Sequence, residues 1–176
     1  MEKGTVYFFT GLSGAGKTTL GGLFHRRLKQ RKPNVILLDG DLIRPVYNED
    51  IGYSDEDRVK GASRTFRVAK MLSDQGIDVV VCSICMYGQI RCWNRENIAN
   101  YKEIYIKVTR ETLLERNQKN LYTTGRNVVG VDLPFDEPQA SNVVIANDGS
   151  ETPEAIVSRL EVLFGLTVGI DGGTGK

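Results

Sequence analysis

The sequence lacks any long hydrophobic run and any excess of charge of one sign. Its 176 residues contain 23 lysines and arginines against 22 aspartates and glutamates. No apolar segment reaches the roughly 20 residues that a membrane-spanning helix needs, and no charged-then-apolar leader precedes the first predicted strand. The balanced charge offers no broad basic surface for a nucleic acid or an anionic membrane. We therefore expect a cytoplasmic protein with a small-molecule partner, and neither a nucleic acid nor a membrane.

Cysteine and histidine are also scarce. The three cysteines are Cys82, Cys85 and Cys92, and the single histidine, His25, lies far from them in the sequence. A structural zinc site needs two pairs of such ligands, and only Cys82 and Cys85 form a closely spaced pair. We therefore expect buried or pocket-lining thiols rather than a metal or redox centre.

One motif in the sequence indicates a specific chemistry. GLSGAGKTT, residues 11–19, follows the strand-like run TVYFFT and precedes apolar residues at helical spacing. It meets the pattern G-x-x-x-x-G-K-[ST] through Gly11, Gly16, Lys17 and Thr18. The glycines let successive N–H groups surround an anion, the lysine reaches the β- and γ-phosphates, and the threonine hydroxyl suits Mg²⁺. The motif predicts a nucleoside-triphosphate site rather than a dinucleotide site, because the loop carries Lys-Thr.

Strands and helices alternate along the chain. Strands are predicted at about 5–10, 34–39, 77–84, 102–108 and 142–147, and helices at about 17–31, 55–75 and 88–99 and after Thr109 and Thr152. Short strands that are apolar throughout are typical of a parallel sheet covered on both faces. We therefore predict an α/β protein with the three-layer P-loop NTPase fold, a mostly parallel five-stranded sheet, and ligands at the carboxyl ends of the strands. Residues 1–166 form a single domain in this prediction, and residues 167–176 a flexible tail.

Two carboxylates follow the second predicted strand, in the segment LDGDLIR. Asp39 and Asp41 are expected at the same rim of the sheet as the phosphate loop. One carboxylate can orient the water shell of a metal ion while the other accepts the proton of a hydroxyl group. Arg44 and Arg58 are candidates for holding an anionic acceptor, because guanidinium groups pair bidentately with phosphate or sulfate. A solvated acidic turn with surface arginines is the plainer alternative.

Taken together, the motifs GLSGAGKTT, LLDGDLIR, YSDEDR, RNQKNLY and GVDLPFDEP resemble, in order and spacing, those of the adenylyl-sulfate (APS) kinases. The resemblance covers about residues 4–165, and LDGDxxR followed by SxxDR is more specific than the phosphate loop alone. It implies that a single kinase domain transfers the γ-phosphoryl group of MgATP to the ribose 3′-hydroxyl of adenosine 5′-phosphosulfate. The resemblance also implies ATP and Mg²⁺ as cofactors, a homodimer, and a lid at about 118–131 that excludes water.

The resemblance also assigns roles to individual residues. Lys17 and Asp41 are implied to be catalytic, and Thr18 and Asp39 to hold the metal ion. The residues implied to bind ATP lie in or near the phosphate loop: Gly11, Ser13, Gly14, Ala15, Gly16, Lys17, Thr18, Thr19 and Arg116. The residues implied to bind the acceptor are Asp41, Arg44, Tyr53, Arg58, Ile84, Cys85, Lys119 and Asp132.

The sequence departs from the APS kinase pattern mainly on the acceptor side. Gly61 and Ser63 replace an asparagine and an arginine, Gly88 replaces an arginine, and Val128 replaces an aromatic residue that would face Tyr53 across the acceptor's base. Adenylyl sulfate remains the acceptor we expect first. The alternative is a kinase of the same fold acting on another nucleotide-linked small anion, such as cytidine diphosphoramidate in capsule modification, because a pyrimidine suits the smaller Val128. A non-catalytic nucleotide-binding protein is a third interpretation.

Overall fold

The computed structural model describes residues 2–52, 54–85, 87–116, 129–130, 133 and 135–166. Most of the predicted lid and the whole predicted tail lie outside these described residues. The lid and the tail therefore stay predictions.

Five parallel strands form the central sheet. They are β1 (Val6–Thr10), β2 (Val35–Asp39), β3 (Asp78–Cys82), β4 (Tyr101–Lys107) and β5 (Val143–Ala146). Their order in the sheet is β2-β3-β1-β4-β5, and all four pairings are parallel. Every residue of β1 and of β3 is buried, because helices cover both faces of the sheet. The predicted α/β fold and parallel five-stranded sheet are confirmed.

Six α-helices and one 3-10 helix surround the sheet in the described part of the chain. The α-helices are α1 (Lys17–Arg31), α2 (Gly40–Ile43), α3 (Asp55–Asp74), α4 (Gly88–Asn97), α5 (Arg110–Arg116) and α6 (Pro153–Leu163), and the 3-10 helix is Arg44–Asp50. The sequence predicted all of these except α2 and the 3-10 helix, which are short and follow β2 without a break. Among the described residues, no helix combines the length and apolar composition needed to cross a membrane.

The hydrophobic core has one layer on each face of the sheet. On one face, Tyr7 of β1 packs on Phe24 of α1, with the ring centroids 4.9 Å apart. On the other face, Phe8 meets Phe66 of α3 edge to face, with the centroids 4.8 Å apart. Successive strand residues point to opposite faces, so neighbouring aromatic residues of β1 anchor helices on both sides.

Local signals in the sequence begin and end the helices. The Ser54 hydroxyl accepts a hydrogen bond from the Asp57 N–H at 3.2 Å and so caps α3. The Thr109 hydroxyl accepts one from the Thr112 N–H at 3.3 Å, which confirms the predicted cap of α5. Gly76 follows α3 with a positive φ of 84°, as expected of a residue that terminates a helix.

The register of the sheet brings three connecting segments to one edge. Phe9 of β1 and Asp39 of β2 both lie opposite Cys82 of β3. The segments that follow these strands therefore begin side by side. They are the phosphate loop (residues 11–16), α2, and the β3–α4 loop (Ser83, Ile84, Cys85 and Tyr87). This edge is where an open α/β sheet binds its ligands.

Candidate active site

The phosphate loop connects β1 to α1. Gly11, Gly14 and Gly16 have positive φ angles of 148°, 76° and 102°, a region that residues with a side chain rarely adopt. A Cβ atom on Gly11 would lie 2.4 Å from the carbonyl oxygen of Ile106. The N-cap of α1 is Gly16, which has no side chain to cap the first turn. The N–H groups of that turn and the positive end of the helix dipole therefore suit a bound phosphate.

Two side chains from the C-terminal half of the chain hold the phosphate loop. Asn147, directly after β5, donates from Nδ2 to the carbonyl oxygen of Ala15 at 2.8 Å. Arg116 at the end of α5 donates to the carbonyl oxygens of Gly14 at 3.3 Å and of Asn147 at 2.7 Å. The sequence placed Arg116 near the nucleotide, and it does contact the loop. Asn147 was missed; the signal that could have found it is a polar side chain directly after the last strand.

Lys17 is the first residue of α1, and its Nζ donates to the carbonyl oxygen of Leu12 at 2.8 Å. Burial lowers the pKa of Lys17 from its ordinary 10.5 to about 8. The nearby carboxylates of Asp39 and Asp41 oppose this shift. Both carboxylates are therefore close enough to act on the lysine charge, and Lys17 can pair with an anion that enters the loop.

The lowered pKa of Lys17 makes the affinity for MgATP depend on pH. Below pH 8 the lysine already carries its proton, so we expect a nearly constant dissociation constant. Above pH 8 the free protein loses this proton and must regain it to pair with the phosphates, so the dissociation constant should rise by up to about tenfold per pH unit. Calorimetric titration between pH 7 and pH 9.5 measures the dissociation constant of MgATP.

Lys17→Arg is the matched control, because a guanidinium stays charged throughout this range. Its affinity for MgATP, whatever its absolute value, should not fall above pH 8. An equal fall in both proteins would contradict the assignment of the pH dependence to Lys17.

Thr18 and Asp39 meet at the predicted metal position. The Thr18 hydroxyl donates to Asp39 Oδ2 at 2.7 Å, although the two residues lie in different elements. The Asp39 side chain is buried, and its Oδ1 accepts the N–H of Asp41 at 3.0 Å, which caps α2. A hydroxyl and a carboxylate are hard oxygen ligands of the kind that Mg²⁺ takes, with phosphate and water completing its shell. The donor set therefore fits Mg²⁺, and the backbone N–H of Asp41 is held by the same carboxylate.

The two arginines predicted for the acceptor lie beyond α2. Arg44 opens the 3-10 helix and donates to the carbonyl oxygens of Ile51, at 3.4 Å, and of Gly52. Arg58 lies in the first turns of α3, close enough to the Tyr87 hydroxyl that its charge partly offsets the rise of the Tyr87 pKa, which burial brings to about 12. Arg44 therefore lies beside residues 51 and 52, and Arg58 lies near Tyr87 of the β3–α4 loop.

Two buried side chains hold the β3–α4 loop from inside the protein. The Thr10 hydroxyl donates to the carbonyl oxygen of Ile84 at 2.6 Å, and Arg91 Nη1 donates to that of Cys85 at 2.9 Å. Cys85 has a φ of 35°, the left-handed region that disfavours a side chain. Ile84 and Cys85 thus lie at the predicted edge, with their carbonyl groups turned into the protein.

Tyr53, Lys119 and Asp132 lie outside the described residues, as does Val128, so their roles stay predictions. Arg64 in α3 pairs with Asp50 at 2.6 Å. That ion pair ties α3 to the 3-10 helix.

The cysteines differ in their surroundings. Cys82 and Cys85 are buried, as predicted, and burial raises the pKa of each thiol to about 12. Cys92 is exposed on α4, so the prediction of a buried or pocket-lining thiol is wrong for this residue. Its neighbours on the amphipathic helix, Arg91 and Asn94, are the ones that face the interior. Within the described ranges, no three histidine, cysteine or acidic side chains form a group that could hold a metal ion.

This geometry agrees with what the sequence is similar to. The family model described as adenylylsulphate kinase matches residues 3–146. The chain belongs to the adenylylsulphate kinase family. Membership identifies it as an ATP-dependent phosphotransferase with the P-loop fold described above.

Relatives in this family differ in their acceptors. The cytidine diphosphoramidate kinase of Campylobacter jejuni is 39% identical over 163 residues, which are 88% of this chain and 95% of that protein. The probable adenylyl-sulfate kinase of Bacillus subtilis is 36% identical over 166 residues, covering 90% and 84%. The APS kinase of Mycobacterium tuberculosis, solved in complex with AMPPNP and APS, superposes with a TM-score of 0.85 at 26% identity and covers 94% of this chain and 99% of its own. The homodimer implied by the sequence stays a prediction.

Proposed function

We propose that this kinase phosphorylates the ribose 3′-hydroxyl of a cytidine diphosphate derivative with an amidated terminus, such as cytidine diphosphoramidate. The observation that carries this choice of acceptor is the position of Asp136 beside Gly88. A Cβ atom on Gly88 would lie 2.2 Å from Asp136 Oδ2. A carboxylate thus fills the space where the side chain of an arginine, the residue of the APS kinase pattern, would begin.

The chemistry of the two acceptors explains why the replacement of an arginine by Gly88 matters. The sulfate end of adenylyl sulfate only accepts hydrogen bonds, so it needs cationic or N–H donors around it. This chain has Gly61, Ser63 and Gly88 where the APS kinase pattern has an asparagine and two arginines, so these donors are missing from the acceptor side. A phosphoramidate and the amino group of cytosine both carry N–H donors, which a carboxylate accepts. The similarity to the Campylobacter jejuni kinase supports the same choice.

The donor side of the reaction uses the phosphate loop. The loop N–H groups and the Lys17 ammonium bind the β- and γ-phosphates, so negative charge on the leaving oxygen is stabilised as the bond to the γ-phosphorus breaks. Thr18 and Asp39 would hold Mg²⁺, which supplies further neutralisation of the phosphate charge when bound.

Asp41 is the residue we assign to the orientation of the acceptor. The Asp39 carboxylate holds the backbone of Asp41 by accepting its N–H. The Asp41 carboxylate can accept the proton of the 3′-hydroxyl as the hydroxyl oxygen bonds to the γ-phosphorus. Arg44 and Arg58 bind the anionic arm of the acceptor. ADP leaves with the electrons of the broken bond, and the acceptor leaves as its 3′-phosphate.

Adenylyl sulfate is the second candidate. Arg44 and Arg58, which its phosphosulfate would need, are both present on the acceptor side. The 36% identity to the Bacillus subtilis protein supports it as well.

The test is to follow ADP release from MgATP with each acceptor in parallel. We expect kcat/KM for cytidine diphosphoramidate to exceed that for adenylyl sulfate by at least about a hundredfold, the size of discrimination that unpaired polar groups produce. MgATP without acceptor gives the background hydrolysis. A higher kcat/KM for adenylyl sulfate would establish the second candidate instead.

Two neighbouring carboxylates provide a matched pair of variants for this test. Asp136→Asn removes the negative charge beside Gly88 and should reduce the preference between the two acceptors. Glu137→Gln changes an acidic residue that pairs with Lys107 at 2.7 Å, and should leave the preference unchanged. Equal effects of both variants would contradict the role given to Asp136.

A further inference from the structure

Arg91 is a buried arginine whose contacts lead to the β3–α4 loop. It lies in α4 and is only 3% exposed. Nη1 donates to the carbonyl oxygen of Cys85 at 2.9 Å, and Nη2 donates to that of Asp136 at 2.6 Å. Nη2 also lies 3.4 Å from Asp136 Oδ2. Burying a charged guanidinium costs free energy unless its N–H groups form hydrogen bonds. The two carbonyl groups accept those hydrogen bonds here.

The two carbonyl groups belong to segments that lack regular secondary structure. One is the β3–α4 loop, and the other is the stretch of residues 135–138 that follows the predicted lid. No strand or helix fixes either segment, and Cys85 holds a left-handed φ of 35°. Such a conformation persists only where surrounding contacts impose it. The fork of one guanidinium fixes both segments relative to each other.

The orientation of the Cys85 peptide follows from these contacts. Thr10 binds the carbonyl oxygen of Ile84, and Arg91 binds that of Cys85, both from inside the protein. In a trans peptide the N–H points away from the carbonyl oxygen. The Cys85 N–H is therefore turned away from Thr10.

An ion pair with Glu103 is the competing explanation for a buried arginine, and the distances disfavour it. Glu103 is fully buried, and Arg95 Nη1 lies 2.8 Å from its Oε2. Tyr101 and Ser141 donate to the same carboxylate at 3.0 and 3.2 Å. The Nε atom of Arg91 is 4.0 Å from Oε1, its longest polar contact. Arg95 thus already pairs with Glu103, while the closest partners of Arg91 are the two carbonyl groups.

We propose that Arg91 is a positioning residue for the acceptor nucleotide. It holds the β3–α4 loop and Asp136 in the arrangement that binds the acceptor, without contacting the acceptor itself. Its role in substrate binding rests on the proposed function, but its hold on the loop does not.

Arg91→Lys and Arg95→Lys are the matched variants, both made in a Cys92→Ser background. Each keeps a positive charge near Glu103, but only the first removes the fork that joins the two carbonyl groups. The first readout needs no activity: the rate at which iodoacetamide modifies the buried Cys85 thiol, followed by peptide mass spectrometry. We expect Arg91→Lys to raise this rate by about tenfold or more, as for the loss of a hydrogen bond from a charged group. Arg95→Lys should stay within about twofold of the parent.

The second readout compares the change in KM for the acceptor with the change in KM for MgATP. Arg91→Lys should raise KM for the acceptor by about tenfold and leave KM for MgATP within about twofold. Equal changes in both variants, or no change in either readout for Arg91→Lys, would overturn the proposal. If the parent protein phosphorylates neither acceptor, the proposed function fails, and the labelling of Cys85 still decides whether Arg91 holds the loop.

A second variant guards against a failure to fold. Arg91→Met removes the fork together with its charge, and Glu103 keeps Arg95 as its partner at 2.8 Å, so no unpaired ion is left in the core. The same rise in Cys85 labelling is expected. A folded Arg91→Met variant with parental labelling would refute the hold of Arg91 on the loop.

Discussion

Lys17→Ala is expected to abolish phosphoryl transfer, lowering kcat/KM by about a thousandfold or more. The ammonium group lies in the phosphate loop, where it can neutralise charge on the β- and γ-phosphates as the bond to the leaving oxygen breaks. Coupled detection of ADP in the presence of the preferred acceptor measures the loss. Substantial activity in the purified variant would refute the proposed role of Lys17.

The same variant should fold, and the sign of the pKa shift explains why. Folding lowers the pKa of Lys17 from 10.5 to about 8. The charged lysine therefore destabilises the folded state below pH 8, and this penalty disappears as the pH rises towards 10.5. Removing the side chain at pH 7 should leave the melting temperature equal or higher. Lys29→Ala, an exposed lysine in the last turn of the same helix, is the control and should retain full activity.

Asp41→Asn is expected to lower kcat by about a hundredfold or more, because a carboxamide cannot accept the proton of the acceptor hydroxyl. The N–H of residue 41 can still donate to Asp39, the N-cap of α2, so α2 and the contact between Asp39 and Thr18 should survive. The affinity for MgATP should remain within about twofold of the parent. Steady-state kinetics with calorimetric measurement of nucleotide binding separate the two effects.

Asp74→Asn is the matched control for Asp41→Asn. Asp74 is the last residue of α3, where it pairs with Lys3 and Lys70. Its substitution should leave kcat unchanged. A change in Asp41→Asn confined to KM, with kcat intact, would count against the assignment of Asp41 as the group that orients and deprotonates the acceptor.

Local features of the sequence determined most of the architecture. Apolar runs marked the strands, Thr109 and Gly76 marked helix ends, and the glycines of residues 11–16 marked the phosphate loop. Each of these signals acts over a few neighbouring residues, through backbone geometry or a single hydrogen bond. The fold class, the all-parallel sheet and the position of the phosphate loop followed from them. The exposure of Cys92 did not follow from them, because it depends on which face of α4 packs against the rest of the protein.

The detail of the acceptor side was decided only by the tertiary structure. The two oxygens of Asp39 bind Thr18 and the N–H of Asp41 at once, which joins the first turn of α1 to the start of α2. Asp136 comes to lie beside Gly88, and Arg91 joins their segments through contacts 45 residues apart in sequence. Such contacts form between segments that carry no local signal for each other, because close packing brings them together only when the whole chain has folded. The sequence by itself therefore determined the phosphate loop, and the folded chain determined the contacts around Asp39, Gly88 and Arg91.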